Sequence, residues 1–147
     1  MPNLLYVATA ALSGAAMALQ GTVNTALGKV IGTWESTLVV HIIGALASLL
    51  VIMTLGIGFS FFGKMDQVPW YGYLGGILNV AIIYAVVISM SQIGVGNATT
   101  AIVTVQLITA LLIDCTGAFG MKQYHFHYRD LLGVAMLAIG ARILFMD

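Results

Sequence analysis

The sequence ESTLVVHIIGALASLLVIMTLGIGF, residues 35–59, carries one charged side chain, Glu35, at its first position. A helix needs about 20 consecutive apolar residues to cross the hydrocarbon core of a bilayer. A membrane β-strand would instead alternate apolar and polar residues, and this stretch does not alternate. It therefore predicts a membrane-spanning α-helix and indicates the fold class of the chain.

The remainder of the chain repeats this pattern. Four further apolar runs are separated by segments rich in glycine or charge, which predicts an all-α membrane protein with five transmembrane helices in one domain, residues 1–147. The first run lacks a charged leading segment and is too long for a signal peptide, so we expect it to stay in the mature protein. The predicted helices cover residues 4–26, 35–59, 70–91, 98–119 and 131–146.

The composition excludes several classes of protein. Hydrophobic residues make up 61% of the 147 residues and charged residues 7%, whereas a soluble domain carries about 25% charged residues. A net charge of zero leaves no basic surface for nucleic acid. The single cysteine, Cys115, cannot form an intrachain disulfide. No nucleophile–base pair, phosphate loop or metal-ligand spacing occurs, so we expect neither an enzyme nor a bound metal or cofactor.

The basic residues give little preference for one orientation in the membrane. If the N-terminus and the loops around residues 60–69 and 120–130 share one side, that side carries Lys64, Lys122 and Arg129. The other side carries Lys29 and Arg142. Orientation follows a clear excess of Lys and Arg, so this balance fits either a weak preference for the N-terminus inside or insertion both ways. Two inverted copies, or a copy and an oppositely oriented paralogue, would form an inverted repeat typical of transporters.

Polar side chains inside the apolar runs are costly in hydrocarbon, so they predict partners or a water-filled cavity. At about 1.5 Å of rise per residue, Asn79 and Gln106 fall near the centres of the third and fourth helices. Gln20 and His41 lie roughly 8 Å from the midplane on one side, and Asp114 roughly 8 Å on the other. In an inverted pair, Gln20 of one copy shares a level with Asp114 of the other. We therefore expect the polar residues to converge only in the dimer.

Each polar position allows a functional and a structural interpretation. Asp114 is the acidic residue well inside a span, where low dielectric favours a neutral carboxyl group. It either carries a proton as a cavity opens and closes or pairs with a basic residue near the interface. Gln20 and Asn24 lie on one helical stripe, where they contact a solute or bond each other. His41 is more typical of a hydrogen-bonded helix contact than of a proton relay.

Two other patterns predict local contacts. The pairs Gly28-x-x-x-Gly32 and Gly72-x-x-x-Gly76 permit close approach of helix backbones, although such pairs are frequent in apolar helices. Trp34 stands beside the polar break between the first two runs, where an aromatic side chain suits the membrane interface.

The motif positions Gln20, Asn24, Leu27, Gly28 and Gly32 resemble the first helix of the YdcZ-like family in the drug/metabolite transporter superfamily. The resemblance covers the whole chain. It continues through Gly44, Trp70, Gly75, Gly76, Gly94, the Ala98–Thr100 triplet, the segments 106–108, 112–114 and 117–120, the stretch 130–133 and Gly140.

This resemblance implies a five-helix protein of the bacterial inner membrane that occurs with dual topology, as oppositely oriented pairs or as ten-helix fusions. It identifies Gln20, Asn24, Gln106 and Asp114 as motif positions. His41 departs from the family pattern, in which an aromatic apolar residue is usual. We expect His41 either to bear on substrate specificity or to have no role.

We therefore expect a small-solute transporter, an exporter by alternating access, working as an antiparallel homodimer in the lipid bilayer. The expected substrate-binding residues are Gln20, Asn24, Asn79 and Gln106, with Asp114 as the proton-coupling residue. Amides at the centre favour a polar or neutral solute over a cationic drug. The alternatives are a passive channel for a small ion or polar solute, and a non-transporting membrane subunit of a partner.

Overall fold

The computed structural model describes residues 4–60 and 63–144, and five α-helices dominate them. This confirms the all-α prediction. The helices are α1 (Leu4–Ile31), α2 (Thr33–Thr54), α3 (Leu74–Ile93), α4 (Val95–Thr116) and α5 (Tyr128–Leu144). By length and composition, α1, α2, α4 and the segment Trp70–Ile93 can each cross a membrane. With 17 residues, α5 is shorter, about 25 Å long, and the end of the predicted fifth run, residues 145–146, lies outside the described residues.

Single glycines separate two pairs of helices. Gly32, with φ 92°, lies between α1 and α2, and Gly94, with φ 81°, lies between α3 and α4. Residues with a side chain rarely adopt such positive φ angles, whereas glycine adopts them readily because it has no Cβ atom. The carbonyl groups of these glycines accept hydrogen bonds from Ser36 N and Ala98 N at 3.0 and 3.1 Å. The predicted breaks were too long, because each helix continues to a single turning residue and leaves fewer backbone groups unpaired in an apolar surrounding.

The end of α2 is also set by a glycine. The predicted helix reached Phe59, but α2 ends at Thr54 and Gly56 follows with φ 63°. Gly56 N donates to Met53 O at 3.3 Å and Ile57 N donates to Ile52 O at 3.0 Å, the pattern of a Schellman cap. The apolar run continues past this cap, so hydrophobicity alone predicted too long a helix.

The chain divides into two compact units, residues 1–91 and 92–147. In the first unit, α1 and α2 pack beside Gly32, and α3 adds the buried side chains Ile83, Val87 and Met90. In the second unit, α4 packs against α5. The N-terminus of α5 is closed by Asp130, whose carboxylate accepts a hydrogen bond from His127 N at 2.9 Å.

The two glycine pairs, Gly28 with Gly32 and Gly72 with Gly76, differ in how closely other helices approach them. A Cβ atom on Gly28 would lie 2.7 Å from Val87 Cγ1 and 3.2 Å from Ser36 Oγ, so α1, α2 and α3 meet closely there. Gly76 has no described atom within 4 Å of its Cβ position, and Gly72 faces only Val68 of its own connection. The expected close contact therefore forms at Gly28 of the first pair, whereas Gly32 and Gly76 have open space in the described surroundings.

Candidate functional site

The most defined polar contact between helices joins His41 of α2 to Asn79 of α3. Asn79 Nδ2 lies 3.1 Å from His41 Nε2, and His41 Nδ1 lies 2.7 Å from the carbonyl oxygen of Thr37. A carbonyl oxygen can only accept, so Nδ1 carries the proton. The Nε2 atom of the neutral ring then accepts a hydrogen bond from the Asn79 amide.

The sequence placed these two residues at different depths, with Asn79 central and His41 roughly 8 Å away. The hydrogen bond puts them at one level, so α2 and α3 are offset along their axes and their midpoints do not mark a common depth. His41 therefore forms a helix–helix contact. Sequence spacing did not predict that its partner is Asn79.

The pair retains hydrogen-bonding capacity on an exposed surface. Asn79 is exposed and His41 is half-buried. An asparagine amide offers two N–H donors and a carbonyl acceptor, and its bond to His41 uses one donor. Among the described residues no other side chain bonds the Asn79 amide. One N–H and the Oδ1 atom of this exposed side chain therefore remain free to hydrogen-bond.

An aromatic stack lies next to this pair along the same two helices. Trp34 of α2 stacks on Tyr84 of α3, with ring centroids 4.1 Å apart and an interplanar angle of 28°. Trp34 lies seven residues before His41, and Tyr84 lies five residues after Asn79. Trp34 was expected at the interface, and the structure places it in a stack between α2 and α3, about 10 Å from His41 along α2. The signal for Tyr84 was its polar hydroxyl within an apolar run.

The α1 amides form a second polar position in the same unit. Asn24 is 6% exposed, yet its side chain bonds no other described residue. Gln20, one turn earlier, is exposed, and its side chain also bonds no other residue within 4–60 and 63–144. The interpretation in which the two amides bond each other therefore does not hold for the described chain.

The hydroxyl groups near Asn24 are already satisfied. The side chains of Thr25, Ser36 and Thr37 donate to carbonyl groups of their own helices at 2.7, 2.9 and 2.8 Å. These three side chains are buried, and each satisfies its hydroxyl group within its own helix, without a partner from another helix. In this buried patch, Asn24 is thus the residue whose side chain has no hydrogen-bond partner among the described residues.

In the second unit, Gln106 lies at the centre of α4 and is exposed, and no described side chain bonds it. Asp114 is exposed in the last turn, because α4 ends at Thr116. From the midpoints of their helices, Asp114 now lies about 13 Å away and Gln20 about 4 Å away. Measured from the midpoints of the observed helices, the two distances are no longer equal, and the meeting of Gln20 and Asp114 in an inverted pair stays a prediction.

The chain after α4 folds back over the C-terminal end of that helix. Gly117 N donates to Ile113 O. Tyr124 N donates to Asp114 O at 2.8 Å, and Gln123 Nε2 donates to Cys115 O at 3.0 Å. These bonds satisfy carbonyl groups that a helix end otherwise leaves unpaired. The backbone at Asp114 is therefore held in a fixed cap.

Arg142 joins the two ends of the second unit. Its Nη1 atom lies 3.4 Å from Asn97 Oδ1, and Asn97 Nδ2 donates to Ile93 O at 3.2 Å. The basic residue of the last turn of α5 therefore binds the first turn of α4. Close by in sequence, the hydroxyl group of Thr99 is buried without a partner among the described residues.

The described residues contain no group of three or more His, Cys, Asp or Glu side chains that could hold a metal ion. Their site consists of uncharged hydrogen-bonding groups and aromatic rings. Such groups can bind and orient a small polar solute, and they supply no activated nucleophile.

Comparison with known proteins agrees with the resemblance found in the sequence. Residues 5–143 match the model of a family described as "Putative inner membrane exporter, YdcZ". No curated protein and no solved structure matches the chain.

Proposed function

Because the chain belongs to the YdcZ family, whose description is that of an inner membrane exporter, we propose that it exports a small polar solute by alternating access. The observation that carries this proposal is the His41–Asn79 pair, which displays an amide on the exposed surface of two membrane-spanning helices. Polar groups at such depth are costly unless they line a cavity or meet a partner.

The proposed solute path runs along α1, α2 and α3. Asn79 provides a donor and an acceptor, Trp34 and Tyr84 provide an apolar wall, and Asn24 provides a further unpaired amide. Gln20 extends the path as an exposed amide on α1, and in the second unit Gln106 is a further exposed amide, on α4. With amides rather than carboxylates at these positions, the path favours a polar, uncharged solute.

An inverted second copy of the chain is the proposed partner. Gln20, Asn79 and Gln106 are exposed at depths where lipid cannot hydrogen-bond them. The near balance of basic residues on the two sides allows both orientations. An antiparallel homodimer, or a pair with an oppositely oriented paralogue, would cover these amides and produce a ten-helix inverted repeat.

Proton coupling is assigned in this proposal to Asp114, an exposed acid in the last turn of α4. The cap formed by Gln123 and Tyr124 holds its backbone at one end of the helix. A carboxyl group there exchanges protons with one membrane face, which suits an exporter driven by inward proton movement.

The test uses the purified full chain in liposomes. A thermal-shift screen of polar metabolites first identifies a stabilising solute, and counterflow of that solute is then measured. We expect accumulation against a gradient by the wild type, its loss in Asn79→Leu and its retention in Gln92→Leu, a polar-to-apolar change at the end of α3. Flux without counterflow would indicate a channel, and absence of any flux would indicate a subunit that acts only with a partner.

A further inference from the structure

The His41–Asn79 pair can satisfy its hydrogen bonds in both protonation states of the imidazole ring. We propose that protonation of His41 turns the Asn79 amide, so that the pair binds a solute that donates hydrogen bonds when the ring is neutral and releases it when the ring is charged. This inference rests on the proposed export function and specifies its solute class and its regulation.

The neutral state is the one in the structure. Nδ1–H donates to the Thr37 carbonyl, and Nε2 accepts from Asn79 Nδ2 at 3.1 Å. The Oδ1 atom of Asn79 is then left as the free acceptor, beside one amide N–H that is also unused. A hydroxyl, amine or amide N–H of a solute is the group that an amide oxygen binds.

In the protonated state both ring nitrogens donate. The Nε2–H group then points at Asn79 Nδ2, which is also a donor, so the two groups repel. A half-turn about the Cβ–Cγ bond of Asn79 replaces Nδ2 by Oδ1 and restores the hydrogen bond. One proton is taken up on Nε2, and the outward acceptor becomes an NH₂ donor group beside a positive charge, which no longer binds a hydrogen-bond donor.

The described residues of α1, α2 and α3 give the imidazolium ring no acidic hydrogen-bond partner. The other titratable side chains on α1, α2 and α3 are Tyr6, Lys29, Glu35 and Tyr84, and none of them hydrogen-bonds His41 within the described residues. Glu35 lies six residues earlier on α2, about 9 Å along the helix axis. A charge at this depth is costly without water, so uptake of the proton requires the site to be open to an aqueous side.

The switch is tested by NMR on the full chain in lipid nanodiscs, without any solute. In a His125→Gln/His127→Gln background, His41 is the remaining histidine. We expect the Nδ1–H tautomer at high pH. On acidification the side-chain amide signals of Asn79 should move with the same midpoint as the ring, and His41→Gln should abolish that movement.

Asn97 is the matched control, because its amide is held by Arg142 and by the carbonyl of Ile93 and should not follow the midpoint of His41. An Nε2–H tautomer at high pH, or a ring that titrates while the Asn79 amide stays constant, would overturn the proposal. The measurement needs no transport, so its failure is distinguishable from the failure of export.

The solute class is tested with two probes in the same samples. Pyrrole is uncharged and donates a hydrogen bond through its N–H group, and N,N-dimethylacetamide is uncharged and only accepts hydrogen bonds. We expect pyrrole to shift the Asn79 amide signals above the His41 midpoint and not below it, and N,N-dimethylacetamide to shift them more strongly below the midpoint than above it. The same response to both probes at both pH values would contradict the assigned class.

Discussion

Gly28 is a glycine because three helices leave no space for a side chain beside it. A Cβ atom there would lie 2.7 Å from Val87 Cγ1, and Val87 is 2% exposed and β-branched, so it cannot turn away easily. We expect Gly28→Ala to lower the free energy of unfolding by about 1–3 kcal/mol through overpacking, measured by denaturant titration in detergent.

Gly14 provides the control for this change. It lies in the same helix with no described atom within 4 Å of its Cβ position, and alanine is the better helix former by about 0.5–1 kcal/mol. Gly14→Ala should therefore leave stability unchanged or raise it. Equal effects of the two substitutions would show that the Gly28 contact does not limit packing.

Asp114 is the residue assigned to proton coupling, and its charge is what the assignment requires. Asp114→Asn keeps the size and the backbone cap, so the protein should fold while solute-driven proton movement is lost. A pH-sensitive dye inside liposomes measures this. Asp66→Asn, an exposed acid in the connection before α3, should retain coupling, and undiminished coupling in Asp114→Asn would refute the assignment.

The loop after α4 is an element whose shape depends on backbone conformation. Gly117 and Gly120 have φ angles of 64° and 76°, and Phe119 has φ 59°. The segment Gly117–Gly120 matched the family pattern in the sequence, and the structure gives it a physical reason, since these conformations turn the chain back to cap α4. The predicted helix end at residue 119 was wrong because the cap begins at Gly117.

We expect Gly117→Ala to destabilise the second unit by about 1–2 kcal/mol, the cost of a left-handed conformation for a residue with a side chain. The added Cβ would also lie 3.3 Å from the Cβ of Gln123. Hydrogen exchange of the Tyr124 amide reports the cap directly and should become faster. Gly133→Ala in α5, with open space in the described surroundings, should leave that exchange rate unaltered.

At the scale of the whole molecule, the balance of three basic residues against two predicts that both orientations occur in one membrane. Labelling of His125→Cys, in a Cys115→Ser background, with a membrane-impermeant maleimide tests this. We expect about half of the molecules to react from one side and all to react after permeabilisation. If all of the molecules, or none of them, react before permeabilisation, the chain has one orientation and the proposed inverted homodimer is contradicted.

The same assay measures how the charges set orientation. Lys64→Gln with Lys122→Gln leaves Arg129 against Lys29 and Arg142 on the two sides, so the labelled fraction should move away from its wild-type value toward the opposite orientation. Gln67→Asn with Gln123→Asn changes the same loops without changing charge and should keep the wild-type fraction.

The sequence by itself determined that the chain is a set of apolar helices, because a run such as residues 35–59 can satisfy its backbone in lipid only as a helix. It also indicated the family, because its glycine and amide positions match the spacing of the family pattern. The helix ends were less predictable. A glycine such as Gly56 ends α2 through its local conformation, while the hydrophobicity continues beyond it.

Only the tertiary structure decided which polar residues meet. Spacing along each helix assigned His41 and Asn79 to different levels, and packing of α2 with α3 brought Nε2 and Nδ2 to 3.1 Å. It also left Asn24 buried without a bond. Pairing across helices depends on where each helix begins and how its neighbours pack, and neither quantity is encoded in the periodicity of one segment.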